Sequence, residues 1–197
     1  MLKKLMLSEA KTKKLKTLSE LIVEGNHKHN LTSYKNPENF FFEQIDDCVQ
    51  AYNACSKTLK KNLVDYGSGS GIPGLVWAIL NEKIKLLSVD SNQKKTEFQK
   101  TLIRKLNLKN VTCKQIRFEE HEFLAQHSTV FKAFSTIKNA VQKAKPNKTR
   151  SNLLFLKKNN EKTQEEILEI KPLLYDYKIH TYKSNLGDMC VVEIYDN

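Results

Sequence analysis

Four of the chain's six glycines fall within eight residues, Gly67-Ser68-Gly69-Ser70-Gly71-Ile72-Pro73-Gly74, directly after the short run Leu63-Val64-Asp65-Tyr66. The apolar stretch Leu75-Val76-Trp77-Ala78-Ile79-Leu80 follows at once. The pattern reads as a strand, a tight turn and a helix. Glycine permits such a turn and lets a ligand approach the backbone, because no Cβ occupies the space. In an open parallel sheet this first turn lies at the carboxyl edge of the strands, where ligands bind.

The rest of the chain supports such a sheet. Residues 11–24 carry Leu15, Leu18, Leu21 and Ile22 among charged neighbours, predicting an amphipathic helix with Gly25 as its cap. The polar segment Asn26 to Tyr34 reads as a turn, and Phe40 to Cys55 as a second helix whose start is favoured by Pro37 and Glu38. Strands are predicted at 63–66, 84–89, 111–116, 129–134 and 153–156, with helices at 75–80, 93–106, 120–126, 135–143 and 162–170 between or after them. Two terminal strands at 175–180 and 190–195 flank the turn Asn185-Leu186-Gly187-Asp188 and suit a closing antiparallel pair. Strands alternating with helices of this length imply a mostly parallel sheet covered on both faces. Phe98, Leu102 and Leu106 share one helical face, and with Trp77 they are expected in the core.

Composition narrows the function classes. No run approaches the roughly 18 apolar residues of a membrane span, and the start of the chain lacks the sustained apolar region of a signal peptide, so a cytoplasmic protein is expected. Cys48, Cys55, Cys113 and Cys190 are scattered without a paired spacing. Neither a metal site nor a disulfide framework is expected from them. Lys plus Arg is 33 against 22 Asp plus Glu, a net +11. That balance attracts phosphate backbones, but all except three of the basic residues are Lys, so solvated faces explain the charge equally well.

The glycine loop leaves several ligands open. Gly69, Gly71 and Gly74 satisfy the dinucleotide pattern G-x-G-x-x-G, and Asp90 sits near the expected distance for an acidic ribose ligand. Counted from the strand end at Tyr66, however, the turn begins at Gly67 and position 72 is Ile rather than Gly. S-adenosylmethionine, which has no pyrophosphate to place on the helix N-terminus, fits that register better. Its amino-acid portion can lie along the glycine backbone while Asp90 accepts from both ribose hydroxyls. A dinucleotide, another ligand and a purely structural turn are the competing readings. Asp65 either faces the sulfonium or ammonium of such a ligand or is an ordinary acid at a strand end.

The segments His29-Asn30-Leu31-Thr32, the loop through Pro73-Gly74, Asp90-Ser91, Ala133-Phe134-Ser135 and Leu156-Lys157 together resemble the bacterial small-subunit ribosomal RNA guanine-N7 methyltransferase G family, also called glucose-inhibited division protein B. The resemblance implies a Rossmann-like S-adenosylmethionine-dependent methyltransferase of α/β class. Residues 1–55 would form an N-terminal helical extension packed on the core, and 56–197 the methyltransferase domain. It matches Gly67 and Ile72 to cofactor-contacting loop positions, Asp90 to the acidic position after the second strand, and Phe118-Glu119 to the pair lining the adenine region. Together with Gly69 and Gly71 these form the expected cofactor pocket, with Lys132 at the boundary between cofactor and substrate. Lys132 stands where the family has Arg, which keeps the charge but loses the guanidinium fork. His127-Ser128-Thr129 and Lys157-Lys158 also depart from the family pattern, which has Phe-Asp and Lys-Gly in those regions.

The implied reaction is methyl transfer to N7 of a guanine in 16S ribosomal RNA, with rRNA or the small ribosomal subunit as partner and a monomer expected. His29 and Asn30 are expected on the substrate rim. Arg117 is expected against an RNA phosphate or the adenine pocket, with a surface salt bridge as the alternative. Lys3, Lys4, Lys11, Lys13, Lys14 and Lys16 either approach phosphates or form one solvated helical face. The alternative functions are methylation of another RNA site or of protein, and a catalytically inactive ribosome-assembly module.

Overall fold

The computed structural model describes residues 7–29, 31–117, 126–144, 151–173 and 175–195, the side chains of 27–29 and 144 excepted. Three helices precede the first strand: α1 (Glu9–His29), α2 (Pro37–Phe40) and α3 (Asp46–Cys55), with a π turn over Phe41–Ile45 between the last two. There follow β1 (Asn62–Tyr66), α4 (Gly74–Leu80), β2 (Lys85–Asp90), α5 (Gln93–Lys105), β3 (Val111–Gln115), β4 (His127–Lys132) and α6 (Ile137–Ala144). The chain closes with β5 (Asn152–Lys158), α7 (Glu161–Leu168), β6 (Asp176–Ser184) and β7 (Gly187–Tyr195).

These strands form one sheet in the order β3-β2-β1-β4-β5-β7-β6. The first five run parallel, and β7 lies antiparallel between β5 and β6. The hairpin pairing continues to Ser184 opposite Gly187, so the closing turn is Asn185-Leu186. This is the expected Rossmann-like methyltransferase architecture. The strand order changes direction between β1 and β4, which puts the ligand crevice of a doubly wound sheet at the carboxyl ends of β1, β2 and β4.

Successive residues of the inner strands face opposite sides of the sheet, so each strand feeds two cores. Leu63, Val130, Leu154, Leu156 and Val191 join the buried side chains of α1 to α5. Their neighbours Val64, Phe131, Leu153, Phe155 and Val192 join Ile137 and Val141 of α6 and Ile167 of α7. The prefix helices belong to the first core: Leu15, Leu18 and Ile22 of α1 are fully buried with Trp77 and Leu102. Burying each such aliphatic side chain is worth about 2 kcal/mol.

Two helix boundaries differ from expectation. α1 does not stop at Gly25 but continues to His29. A Cβ at Gly25 would lie 2.2 Å from the Phe98 ring, so this glycine serves a close helix crossing and not a cap. The second helix begins at Pro37 rather than Phe40, because the Asn36 side chain accepts from the N–H groups of Glu38 and Asn39. β4 ends at Lys132 instead of running to Phe134, since Ala133 adopts φ 53°, outside extended backbone. The helix expected at 120–126 lies outside the described residues apart from Gln126, a bend with φ 64°.

Candidate functional site

After β1 the chain turns through Gly67, Gly69 and Gly71 with φ of +66°, +55° and +98°, a region that side chains with a Cβ rarely adopt. At Gly67 packing adds a second requirement, for a Cβ there would stand 2.2 Å from the Phe134 ring. Gly69 is different: the nearest atom a Cβ would meet is the Gly67 carbonyl oxygen at 3.8 Å, so its outer side is open. The loop is pinned to β2 by Ser68, whose N–H and hydroxyl both donate to the Val89 carbonyl at 3.1 Å. Gly71 lies at the joint with the helix, its carbonyl accepting from Leu75 N–H at 2.8 Å, and Ile72 is half-buried against the first core.

Asp65 lies beneath this loop, 1% exposed, and accepts from Gly74 N–H at 2.8 Å. Burial pushes its carboxyl up to about 7. The Gly74 N–H opposes that shift, Asp90 adds to it, and Lys132 opposes it. Of the two roles open to Asp65, the contact made here is a brace between the end of β1 and the first turn of α4.

Asp90 closes β2 beside the loop, because the parallel register sets Tyr66 against Val89. Its Oδ2 accepts from Gly69 N–H at 2.9 Å and its Oδ1 from Asn92 N–H at 2.8 Å. A carboxylate offers about four acceptor positions, so each oxygen keeps one for a ligand. Asp90 and Gly67 line a cavity of about 490 Å³ at the strand ends, together with Tyr66, Arg117, Ala133 and Phe134. That size is within the range of small-molecule sites, roughly 300–1,000 Å³. Ala133 holds its left-handed conformation at this wall, and backbone strain of that kind gathers at functional sites.

A residue that sequence reasoning missed holds the loop from behind. Gln99 of α5 is fully buried, and its Nε2 donates to Ser68 Oγ at 2.8 Å and to the Gly69 carbonyl at 2.9 Å. Its Oε1 accepts from the Ser88 hydroxyl. A polar residue buried in the middle of a helix was the available signal, but nothing in the local sequence says that it faces inward.

Lys132 does not line the cavity. Its side chain, 17% exposed, turns toward the prefix helices, where Nζ donates to Gln44 Oε1 at 2.7 Å and stands 3.5 Å from Asp47 Oδ2 in an ion pair. Asp47 is fully buried and its other oxygen accepts from Tyr182 at 2.9 Å and Ser184 at 3.3 Å. Gln44 in turn donates to the Tyr34 hydroxyl at 3.1 Å, and Tyr34 donates to Glu43. Asn26 holds the Leu31-Thr32 segment, its Oδ1 accepting from both N–H groups at 2.7 and 2.9 Å, and the Thr32 hydroxyl accepts from Tyr34 N–H at 3.2 Å. One polar network thus ties the end of β4, the prefix helices and the β6–β7 hairpin together.

Two of the other departures from the family pattern, Ser128 and Lys157, have structural partners. Ser128 accepts from Lys60 N–H and donates to Asn152, which donates to Glu193, forming a buried polar chain across the sheet. Lys157 is paired with Glu166 at 2.8 Å, and the same carboxylate oxygen accepts from Ile137 N–H at the start of α6. Lys158 is exposed. Among the prefix lysines, Lys11 donates to the Leu80 carbonyl at 2.7 Å and Lys14 stands 3.9 Å from Glu82, whereas Lys13 and Lys16 are exposed. Arg117 is exposed at the mouth of the cavity. His29 ends α1; Asn30, Phe118, Glu119, Lys3 and Lys4 lie outside the described residues.

Comparison with known proteins agrees with this geometry. Residues 11–186 match the family described as rRNA small subunit methyltransferase G (GidB). The ribosomal RNA small subunit methyltransferase G of Brachyspira hyodysenteriae is 32% identical over 184 residues, covering 92% of this chain and 88% of that protein. The protein of the same name from Clostridium botulinum is 33% identical over 120 residues, which span 61% of this chain and 50% of the relative. Among solved structures, a SAM dependent methyltransferase from Aquifex aeolicus superposes with a TM-score of 0.56 at 12% identity, covering 81% of this chain and 93% of that one. Precorrin-6y C5,15-methyltransferase from Geobacter metallireducens gives 0.55 at 12% identity over 75% and 87%. A sheet of this order with a glycine turn and an acidic residue at neighbouring strand ends is that of an S-adenosylmethionine-dependent methyltransferase. Within that class, the chain belongs to the rRNA small subunit methyltransferase G family. No helix of the described residues is long and apolar enough to cross a membrane.

Proposed function

We propose that this chain, acting as a monomer in the cytoplasm, methylates N7 of a guanine in 16S ribosomal RNA. The observation that carries the cofactor side is Asp90: two backbone N–H groups fix its carboxylate, which leaves one acceptor position on each oxygen for a pair of vicinal hydroxyls. The open backbone at Gly69 and the cavity wall at Gly67 suit the amino-acid portion of the same ligand, with Gly71 and Ile72 shaping the turn. Phe118 and Glu119 are assigned to the adenine end by family resemblance. When bound, the sulfonium supplies a methyl carbon that a nitrogen lone pair can take as the C–S bond breaks, leaving S-adenosylhomocysteine.

Guanine N7 carries an available lone pair, so no general base has to remove a proton first. The protein's task is therefore alignment and exclusion of water. Asp90 fixes the sugar, Phe134 and Ala133 wall the cleft, and Arg117 at its mouth takes an RNA phosphate. His29 and Asn30 are assigned to the substrate rim. Lys132 acts through Gln44 and Asp47, holding the prefix helices against the end of β4.

The test is transfer of a radiolabelled methyl group to undermethylated small subunits, naked 16S rRNA and unrelated RNA, followed by nucleotide mapping. N7-methylguanine at one rRNA position is expected. Label on another atom overturns the N7 assignment, and donor binding without any transfer favours an assembly role.

A further inference from the structure

The carboxyl edge of the sheet holds the methyl-donor cleft, but a larger groove lies at the opposite edge. It has a volume of about 1450 Å³ and is formed by the amino ends of β1 to β4 and the loops that enter them. Lys60, Lys61, Lys83, Lys85, Lys109 and Lys114 line it and are all exposed. Lys14 is a seventh lysine on the wall. Among the described lining residues the one carboxylate is Glu82, and it already stands 3.9 Å from Lys14. Seven cations against one anion leaves six formal positive charges in a single concavity of a chain whose net charge is +11.

A concave surface of one sign focuses its field and concentrates a polyanion. Four of the seven sit on three successive loops, Lys60 and Lys61 before β1, Lys83 before β2 and Lys109 before β3, while Lys85 opens β2, Lys114 lies in β3 and Lys14 in α1. Because β1, β2 and β3 are adjacent and parallel, their entry loops are neighbours along one edge. Adjacent strands lie about 4.8 Å apart, so these lysine positions follow one another along the edge. Lysine binds phosphate as a point charge without base discrimination. A flat basic surface with exposed apolar groups would suit an anionic bilayer, whereas a groove suits a strand that enters it.

We infer that this amino-edge groove is a second RNA-binding surface, which holds a phosphate backbone segment of the substrate away from the nucleotide being methylated. The inference rests on the rRNA methyltransferase reading. The strand from Lys85 to Asp90 separates groove from cleft by about 17 Å at 3.3 Å per residue, so one nucleotide cannot occupy both. The groove therefore engages a different segment of a folded RNA, and substrate choice depends on how that RNA places two segments around the sheet. Two such contacts on one molecule act together with an effective concentration set by RNA shape.

The test compares two four-site variants with equal net charge: Lys60, Lys61, Lys83 and Lys109 each replaced by Gln, and Lys162, Lys171, Lys178 and Lys183 each replaced by Gln. Binding to a 16S rRNA transcript is measured across salt concentration. The groove variant is expected to bind at least about tenfold more weakly, with a log–log salt slope reduced by about 3. The second variant is expected to stay within about twofold of wild type. The paired variants Lys60→Gln/Lys61→Gln and Lys83→Gln/Lys109→Gln should each lose about half that slope, which keeps the test intact should the four-site protein fold poorly. In turnover assays KM for RNA rises while kcat holds, the mark of binding energy equal in ground and transition states. Equal losses in both four-site variants overturn the inference, as does loss of binding to phosphatidylserine vesicles with RNA affinity unchanged. S-adenosylhomocysteine binding is measured in parallel: its absence in wild type speaks against the methyltransferase reading, whereas unchanged S-adenosylhomocysteine affinity with unchanged RNA affinity in the groove variant refutes the second surface alone.

Discussion

Asp90 and Asp65 stand one strand apart at the same edge, and their surroundings give them different work. Asp90 is oriented by two N–H donors on neighbouring segments and faces the cleft. Asp90→Ala removes a charged acceptor for two hydroxyls, a loss of about 2–4 kcal/mol, so S-adenosylhomocysteine affinity should fall at least about thirtyfold in a titration. Asp65 is buried, and its carboxyl is raised from 3.8 to about 7. Between those values the folded protein binds more protons than the unfolded chain, so this group's contribution to stability is full below about pH 4 and declines until about pH 7. The difference in melting temperature between wild type and Asp65→Asn should therefore shift steadily against wild type from pH 4 to 7 and level off above. A difference that stays constant with pH sinks that assignment. Asp90 and the glycines are legible in the sequence because their roles follow from local order: a strand end, a turn needing positive φ, a second strand end. Gln99 and Asp47 are not legible, since each is a buried polar residue whose partners come from elements distant in the chain.

The same contrast holds for elements. Strand–helix alternation is visible as a change of apolar period, and each expected strand is present with boundaries shifted by a few residues. Gly25 is misleading because a glycine that admits a crossing helix and one that ends its own helix look alike in sequence. The joint between α5 and the glycine loop shows what such crossings do for the site. Gln99 bridges Ser68, Gly69 and Ser88, so the helix after β2 fixes the turn after β1. Gln99→Leu keeps the volume nearly unchanged but leaves those buried groups without their partner. A loss of about 3 kcal/mol in denaturant unfolding is expected, together with weaker S-adenosylhomocysteine binding. If stability falls while that affinity is unchanged, α5 supports the fold without shaping the turn.

At the scale of the molecule, the sheet makes the two cores interdependent. Leu63 and Val64, Val130 and Phe131, or Leu154 and Phe155 are chain neighbours that serve opposite faces, so neither core can lose its strands without disturbing the other. The prefix helices share the first core with α4 and α5, and the network from Lys132 through Asp47 to Tyr182 joins them to the far edge of the sheet. A ligand fixed at the ends of β1 and β2 should then stabilise the whole chain as one unit. S-adenosylhomocysteine at one hundred times its dissociation constant adds about 2.7 kcal/mol to the folded state. For a chain of this size that corresponds to an upward shift of about 5–10 °C in a single melting transition. Asp90→Ala at the same ligand concentration should lose most of the shift. A melting curve in which the ligand moves only part of the signal would separate the cleft from one of the two cores, and the shared strands would then not couple them.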